Sequence, residues 1–323
     1  MKIILTGGAG FIGSCILRTL NDRNITDVVV VDHVAETGKW KNLRSKQYSD
    51  YVRKDAFLDR LKAGEYDDAG LVIHMGACTS TTERDFDHLW QNNVEYSKAL
   101  WRFCVNKGIP FIYASSAATY GDGANGFDDT APIDQLRPLN AYGYSKQAFD
   151  LWAEKQEKKP PRYVGLKFFN VYGPNEYCKG PMASMVYHGF RQIMETGRIR
   201  LFQSEDPHYA DGCQERDFVY VKDVCKVVLF FLEHPEHSGL FNVGTGRART
   251  FKELASAVFR ALGMEPRIEY IPMPEELRET YQYHTKAETG KLRSAGYREE
   301  FLDVEQGAED YVKEYLSRGF LTC

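Results

Sequence analysis

The sequence predicts an α/β fold, a doubly wound parallel sheet with a smaller C-terminal α/β lobe. Three observations carry this expectation. The short apolar runs of the first half are continuous rather than alternating. Stretches with helical spacing separate them. A glycine-rich turn follows the first run. Continuous apolar strands alternating with helices indicate a parallel sheet covered on both faces.

The elements follow in order. Lys2–Thr6 and Val28–Asp32 are strand-like runs rich in Ile and Val, and Ile12, Ile16 and Leu20 recur between them at helical spacing. Leu71–Ala77 and Pro110–Ser116 read as further buried strands, with a helix from about Asn92 to Asn106 between them. Beyond Gly173 the pattern loosens. Met182–Glu195 reads as a helix, Ile199–Phe202 and Phe218–Val221 as short strands, and Asp223–Glu233 as a helix. Leu240–Val243 then reads as a strand, Thr250–Leu262 as a helix and Asp303–Ser317 as a final helix. Residues 1–173 are expected to form the main domain, and 174–323 the smaller lobe with segments that return to it.

Composition narrows the function classes. The 323 residues are 43% hydrophobic and 27% charged, which suits a folded globular chain and excludes overall disorder. No run approaches the roughly 18–20 apolar residues of a membrane span. The net charge of −4 leaves no general electrostatic footprint for nucleic acid. The N-terminal segment lacks the basic and apolar regions of a signal peptide. Seven scattered cysteines, at 15, 78, 104, 178, 213, 225 and 323, form no CxxC pair, and no metal site is expected. An odd count without an export signal fits a reducing cytoplasm.

Thr6-Gly7-Gly8-Ala9-Gly10-Phe11-Ile12-Gly13 follows the first strand and opens the first helix. Gly7, Gly10 and Gly13 permit a tight turn and close approach of a pyrophosphate, which the helix N-terminus attracts. Asp32 ends the next strand, where an acidic residue accepts hydrogen bonds from an adenosine ribose and favours NAD over NADP. Lys39 and Lys54 read either as partners of a 2′-phosphate or as solvated surface charges. This pattern makes residues 1–173 a Rossmann-type dinucleotide-binding domain, with the remaining lobe placed to bind a substrate.

Ser115-Ser116 ends a buried strand, and Tyr142-Gly143-Tyr144-Ser145-Lys146 follows on a helical stretch. Tyr142 and Lys146 are four apart and share a face. A phenol is a poor base at neutral pH. A neighbouring ammonium and a positive nicotinamide ring both favour its ionised form. With Ser116 hydrogen-bonded to the reacting hydroxyl, the trio supports hydride transfer to or from a secondary alcohol.

The segments GGAGFIG, HMGACTSTTE, YASSAATYG, YGYSK, FFNVYGPNEYCKGPMASM, RDFVYVKDV and FNVGTGRA resemble the extended short-chain dehydrogenase/reductase superfamily, and within it the ADP-L-glycero-D-manno-heptose 6-epimerase family. The resemblance runs over nearly the whole chain. It implies catalytic roles for Ser116, Tyr142 and Lys146, with Lys179 as a second acid/base group on the opposite face of the substrate. It implies cofactor contacts at Phe11, Ile12, His33, Met75, Gly76, Ala77, Cys78, Thr79, Asn92 and Val171, beside the glycines, Asp32, Lys39 and Lys54. It implies substrate contacts at Asn170, Pro181, His188, Phe202, Gln203, Ser204, Glu205, Arg216 and Tyr281. The implied cofactor is a tightly bound NADP, with NAD as the alternative. The implied substrate is an ADP-heptose that feeds the inner core of lipopolysaccharide in a Gram-negative bacterium, and the implied assembly is a homo-oligomer such as a pentamer.

Other readings stay open beside these. Lys179 also reads as a phosphate-binding or surface lysine, Arg216 as a salt-bridge partner of Asp217 or Glu215, His188 as a packed or exposed histidine, and Tyr281 as a core aromatic. A sugar-nucleotide dehydratase needs an Asp-Glu pair after the strand-end hydroxyl, where this chain has Ala117 and Ala118. A UDP-hexose 4-epimerase needs no Lys179. A non-catalytic dinucleotide-binding protein usually lacks the Tyr/Lys pair. Three positions depart from the family pattern: Pro181 replaces serine, His33 replaces asparagine, and the segment 206–214 is longer than usual.

Overall fold

The computed structural model describes residues 1–278 and 280–323. In chain order, β1 (Lys2–Thr6), α1 (Phe11–Asn21), β2 (Val28–Asp32), β3 (Asp50–Arg53), α2 (Lys54–Lys62) and β4 (Ala69–His74) come first. Then follow α3 (Phe86–Leu89), α4 (Tyr96–Lys107), β5 (Phe111–Ser116), α5 (Ala141–Glu154), β6 (Tyr163–Phe168) and β7 (Asn170–Tyr172). The rest of the chain adds α6 (Met185–Thr196), β8 (Ile199–Phe202), β9 (Glu215–Tyr220), α7 (Val221–Glu233), β10 (Gly239–Val243), β11 (Ala248–Thr250), α8 (Phe251–Ala261) and β12 (Ile268–Ile271).

Seven strands form one parallel sheet in the order β10-β6-β5-β4-β1-β2-β3. The order reverses at β1, and a crevice opens there beyond the carboxyl ends of the strands. Alternate residues of one strand enter two cores. Ile3, Leu5, Val28 and Val30 join the core that includes residues of α1 and α7. Ile4, Val29, Val31 and Val72 join the core that includes residues of α4 and α5. Burial on both faces is the physical reason these strands read as continuous apolar runs. β10 comes from the C-terminal segment, yet it forms an edge of the large sheet beside β6.

Several boundaries differ from the sequence reading. The strand expected over Leu71–Ala77 ends at His74, so residues 75–77 are free to line the crevice. The helix expected from Asn92 starts earlier, as α3 and a π-helical turn over Trp90–Glu95 run into α4. The helix expected at Met182 starts at Met185, after a 3-10 turn containing Pro181 and behind the Ser184 cap. The strand expected over Phe218–Val221 is Glu215–Tyr220, and Val221 opens α7. The final helix is α-helical only over Val304–Asp310 and continues as a π turn. β3, β6, β7, β11 and β12 were absent from the sequence reading, because they are short or carry mixed polarity. In β6, Lys167 and Gly165 interrupt the apolar run.

Candidate active site

The glycine turn is built by backbone crowding. A Cβ on Gly13 would lie 2.1 Å from the Gly7 carbonyl oxygen, and one on Gly7 would lie 2.6 Å from the Gly76 nitrogen. Gly7 also has φ +68°, a left-handed value that L side chains rarely adopt. α1 begins at Phe11 without a side-chain cap and without an acidic residue in its first turn. Its first N–H groups therefore face the crevice, with their dipole uncompensated by protein charge. This cradle fits a dinucleotide pyrophosphate.

A cleft of about 690 Å³ runs along this turn. Gly7, Gly10, Phe11, Ile12, Gly13, Asp32, His33, Lys39, Lys54, Met75, Gly76, Ala77, Cys78, Thr79 and Asn92 all line it. Asp32 is buried and accepts hydrogen bonds from the Ala9 N–H at 2.9 Å and the His33 N–H at 2.7 Å. Lys39 pairs with the same carboxylate at 2.7 Å. Lys54 donates to Asn92 Oδ1 at 2.6 Å across the cleft rim. Both lysines thus belong to the cleft, although Lys39 also neutralises Asp32.

A second cleft of about 380 Å³ opens from the first. Phe11, Ile12, Met75, Ala77, Thr79, Lys179 and Met182 line both. Ser116, Tyr142, Lys146, Asn170 and Val171 line the second. Ser116 lies at the end of β5, and Tyr142 and Lys146 lie on one face of α5. Asn140 caps α5 by accepting from the Gly143 N–H at 2.8 Å, and this fixes the first turn of the helix, on which Tyr142 lies. Lys179 comes from the other side, on the turn between β7 and α6, with its ammonium 5.4 Å from the Phe11 ring centroid.

Electrostatics distinguish these groups. Burial pushes Lys146 down to about 8, and the charge of Asp150 opposes that only in part. Asp150 is occupied by Tyr113, Ser115 and the buried Lys167. Burial also lowers Lys179, opposed by Glu176. Burial raises Tyr142, while its hydrogen bond with Ser116 lowers it. The sequence reading had Lys146 depress the phenol. Within the protein alone, burial wins instead.

Arg216 does not take either salt bridge that the sequence left open. Asp217 is buried and accepts from the Thr245, Gly246 and Ala287 N–H groups, and Glu215 pairs with His284 at 2.8 Å. The Arg216 guanidinium, 6% exposed, instead stacks 5.0 Å from the Tyr281 ring and 5.5 Å from Phe251. Phe202 packs on Tyr281, and Phe251 lines the second cleft, so this cluster adjoins the cleft. Gln203, Ser204 and Glu205 continue from Phe202, and Glu205 pairs with Arg278. Pro181 and His188 line neither cleft; His188 packs against Tyr187.

Residues the sequence reading passed over complete the geometry. Asn93, buried beneath Cys78, donates to the Cys78 carbonyl and to Ser145 Oγ at 2.9 Å, and Ser145 donates to the Tyr142 carbonyl. It ties the cleft floor to α5. The π turn turns it inward, and no periodicity marks such a turn. Asn42 bridges the Ala9 and Asn175 carbonyls. Cys78, Glu83 and His88 also place ligand atoms within 4.8 Å of one another, a grouping that scattered sequence positions did not suggest.

A protein from Nitratidesulfovibrio vulgaris named ADP-L-glycero-D-manno-heptose-6-epimerase is 53% identical over 316 residues, 97% of this chain and 98% of that protein. One of the same name from Fusobacterium nucleatum is 48% identical over 326 residues, 98% of each. The crystal structure of Helicobacter pylori ADP-L-glycero-D-manno-heptose-6-epimerase superposes with a TM-score of 0.81 at 29% identity, over 97% of this chain and 95% of that one. Thermus thermophilus UDP-glucose 4-epimerase, solved with NAD, gives 0.80 at 27% identity over 99% of both. A model of the NAD dependent epimerase/dehydratase family matches residues 3–244, from β1 through the glycine turn and the Tyr142/Lys146 pair to β10, and the chain belongs to that family.

Proposed function

We propose that the chain interconverts ADP-D-glycero-D-manno-heptose and ADP-L-glycero-D-manno-heptose by oxidation and re-reduction at C6 of the heptose. The reading rests on relatives of that name at 48–53% identity over nearly the whole chain. The observation that carries the mechanism is the placement of Tyr142 and Lys179 on different elements lining one cleft. Inversion at one carbon needs proton transfer at both faces of the same ketone, and one fixed base serves one face.

The glycine cradle, α1 and Asp32 hold a nicotinamide dinucleotide. When bound, it would supply reversible hydride acceptance and a positive charge that favours ionisation of Tyr142. Tyr142 takes the C6 hydroxyl proton of one epimer, with Ser116 hydrogen-bonded to the same oxygen. Lys179 serves the other face; burial lowers its affinity for a proton, which suits a base. Lys146, on the same face of α5, would supply a positive charge near the bound dinucleotide and the reacting phenol. Arg216, always charged, takes the sugar-nucleotide diphosphate in its aromatic slot. Ala117 and Ala118 leave no acid or base for water elimination.

NADP is the preferred dinucleotide. Lys39 neutralises Asp32 and Lys54 lies on the same cleft, so the cleft would not repel a 2′-phosphate and Lys54 would be placed to meet it. The reading also takes in a homo-oligomer and a cytoplasmic site, producing a precursor of the lipopolysaccharide inner core. Among the described residues, no helix is long and apolar enough to cross a membrane.

The test is conversion without added dinucleotide. Purified protein is mixed separately with ADP-D-glycero-D-manno-heptose, UDP-glucose and UDP-N-acetylglucosamine, and the products are resolved chromatographically. Epimerisation of the ADP-heptose alone supports the reading; turnover of a UDP-hexose alone replaces it with a 4-epimerase. Mass measurement of the dinucleotide released on denaturation decides NADP against NAD.

A further inference from the structure

The C-terminal segment returns to the dinucleotide helix. Cys323 Sγ lies 3.1 Å from Cys15 Sγ, and Cys15 is buried in α1, which starts at the glycine turn. They lie at the edge of the main hydrophobic core, where two polar side chains reach them. Asn175 Nδ2 lies 3.2 Å from Cys323 Sγ and 3.5 Å from Cys15 Sγ, and Asn175 Oδ1 accepts from the Cys323 N–H at 3.1 Å. Lys46 donates to the Cys323 carbonyl. Just before it, the Leu321 carbonyl accepts from Tyr177 at 2.6 Å, and Phe320 packs on Tyr177 and Tyr187. One segment therefore touches α1, the turn that carries Lys179, and α6.

We infer that Cys15 and Cys323 form a reversible disulfide by exchange with a low-molecular-weight disulfide, fastening the C-terminal segment to the dinucleotide helix. A protein disulfide has sulfurs about 2.05 Å apart, so closure from 3.1 Å needs a shift of only about 1 Å. Cys323 is part-exposed and Cys15 is 3% exposed, so the external reagent meets Cys323 first. Burial raises the Cys15 thiol, while Lys46 lies beside Cys323 and its positive charge favours a thiolate there. Its exposure makes Cys323 the attacking thiol and Cys15 the resolving one.

The chemistry balances. The Cys323 thiolate attacks one sulfur of the external disulfide and expels the first thiolate, which takes up a proton. Cys15 then gives up its proton and attacks Cys323 Sγ, and the second external thiol leaves. Two protein thiols are oxidised by two electrons, and one external disulfide is reduced to two thiols. The bond closes a loop from residue 15 to residue 323, and a cross-link between distant positions restricts the unfolded chain.

The experiment uses the full chain with its bound dinucleotide. Protein is held with glutathione disulfide, blocked with N-ethylmaleimide, denatured and digested for mass spectrometry. Expected are a peptide pair joining Cys15 to Cys323 and the loss of two alkylatable thiols per chain. The oxidised protein also melts at a higher temperature, and dithiothreitol reverses the shift. Cys323→Ser, at the part-exposed partner, folds but shows neither cross-link nor shift. Three results overturn the inference: Cys323 trapped as its glutathione adduct with Cys15 free, Cys323 joined to Cys225, or all thiols retained.

Discussion

Tyr142 and Lys146 sit four residues apart on α5, and burial moves both away from their charged forms. Burial therefore keeps the Tyr142 phenol protonated in the protein alone, and its role as a base needs the positive charge that a bound dinucleotide would bring, while Lys146 is still largely an ammonium at pH 7. Tyr142→Phe removes the transferable proton and is expected to cut turnover by about 10²–10⁴-fold, with dinucleotide content unchanged. Lys179→Met is expected to impair turnover with little loss of stability; normal turnover would remove the second base. Lys146 tests the cost of the site. Its folded value of about 8 lies below the unfolded 10.5, so the buried ammonium destabilises the fold at pH 7 by about 3 kcal/mol. The unfolded chain binds the extra proton between those values, so this cost fades as pH rises through about 8 towards 10.5. Lys146→Met should therefore be inactive but more resistant to urea than the native chain at pH 7, with the advantage shrinking near pH 10. A constant advantage across that range would contradict the buried-ammonium account.

Among the elements, the turn between β1 and α1 is the most constrained. Gly13→Ala puts a Cβ where only the Gly7 carbonyl fits, and the protein is expected to purify without dinucleotide. A loss of at least about 100-fold in dinucleotide affinity, roughly 2.7 kcal/mol, is the expected reading by calorimetry. This turn, Asp32, Ser116 and the Tyr142/Lys146 pair were legible because each depends on local spacing. β1 and β2 were legible to the residue because both of their faces are buried. The elements that escaped depend on distant contacts. Asn93 acts through a π turn, and Asn42 through carbonyls of two separate loops. The pairing of Arg216 with aromatic rings rather than with Asp217 follows from where the segments around Thr245 and Ala287 dock. No pattern within β9 encodes that choice.

Across the whole molecule, the sheet and the C-terminal segment share one core. Ile3 and Val30 of the sheet belong to the same buried cluster as Val224, Phe259 and Leu316. β10 pairs with β6, and α1 packs on α7. A chain ending at residue 173 loses these partners and exposes apolar faces of β6 and α1. It is expected to lack a cooperative thermal transition and to bind a hydrophobic dye. A cooperative transition in that fragment would mean that the first domain stands alone. The same integration brings Lys179, from the turn after β7, and Tyr142, from α5, to the lining of one cleft, and the proposed epimerisation needs them to reach opposite faces of the bound sugar.

The most direct measurement follows ADP-D-glycero-D-manno-heptose by proton NMR in deuterated buffer, with no dinucleotide added. The account predicts inversion at C6 with the C6 proton retained, because the hydrogen leaves and returns as hydride and does not exchange with solvent. Deuterium appearing at C6, or no inversion by protein shown to carry its dinucleotide, would contradict it.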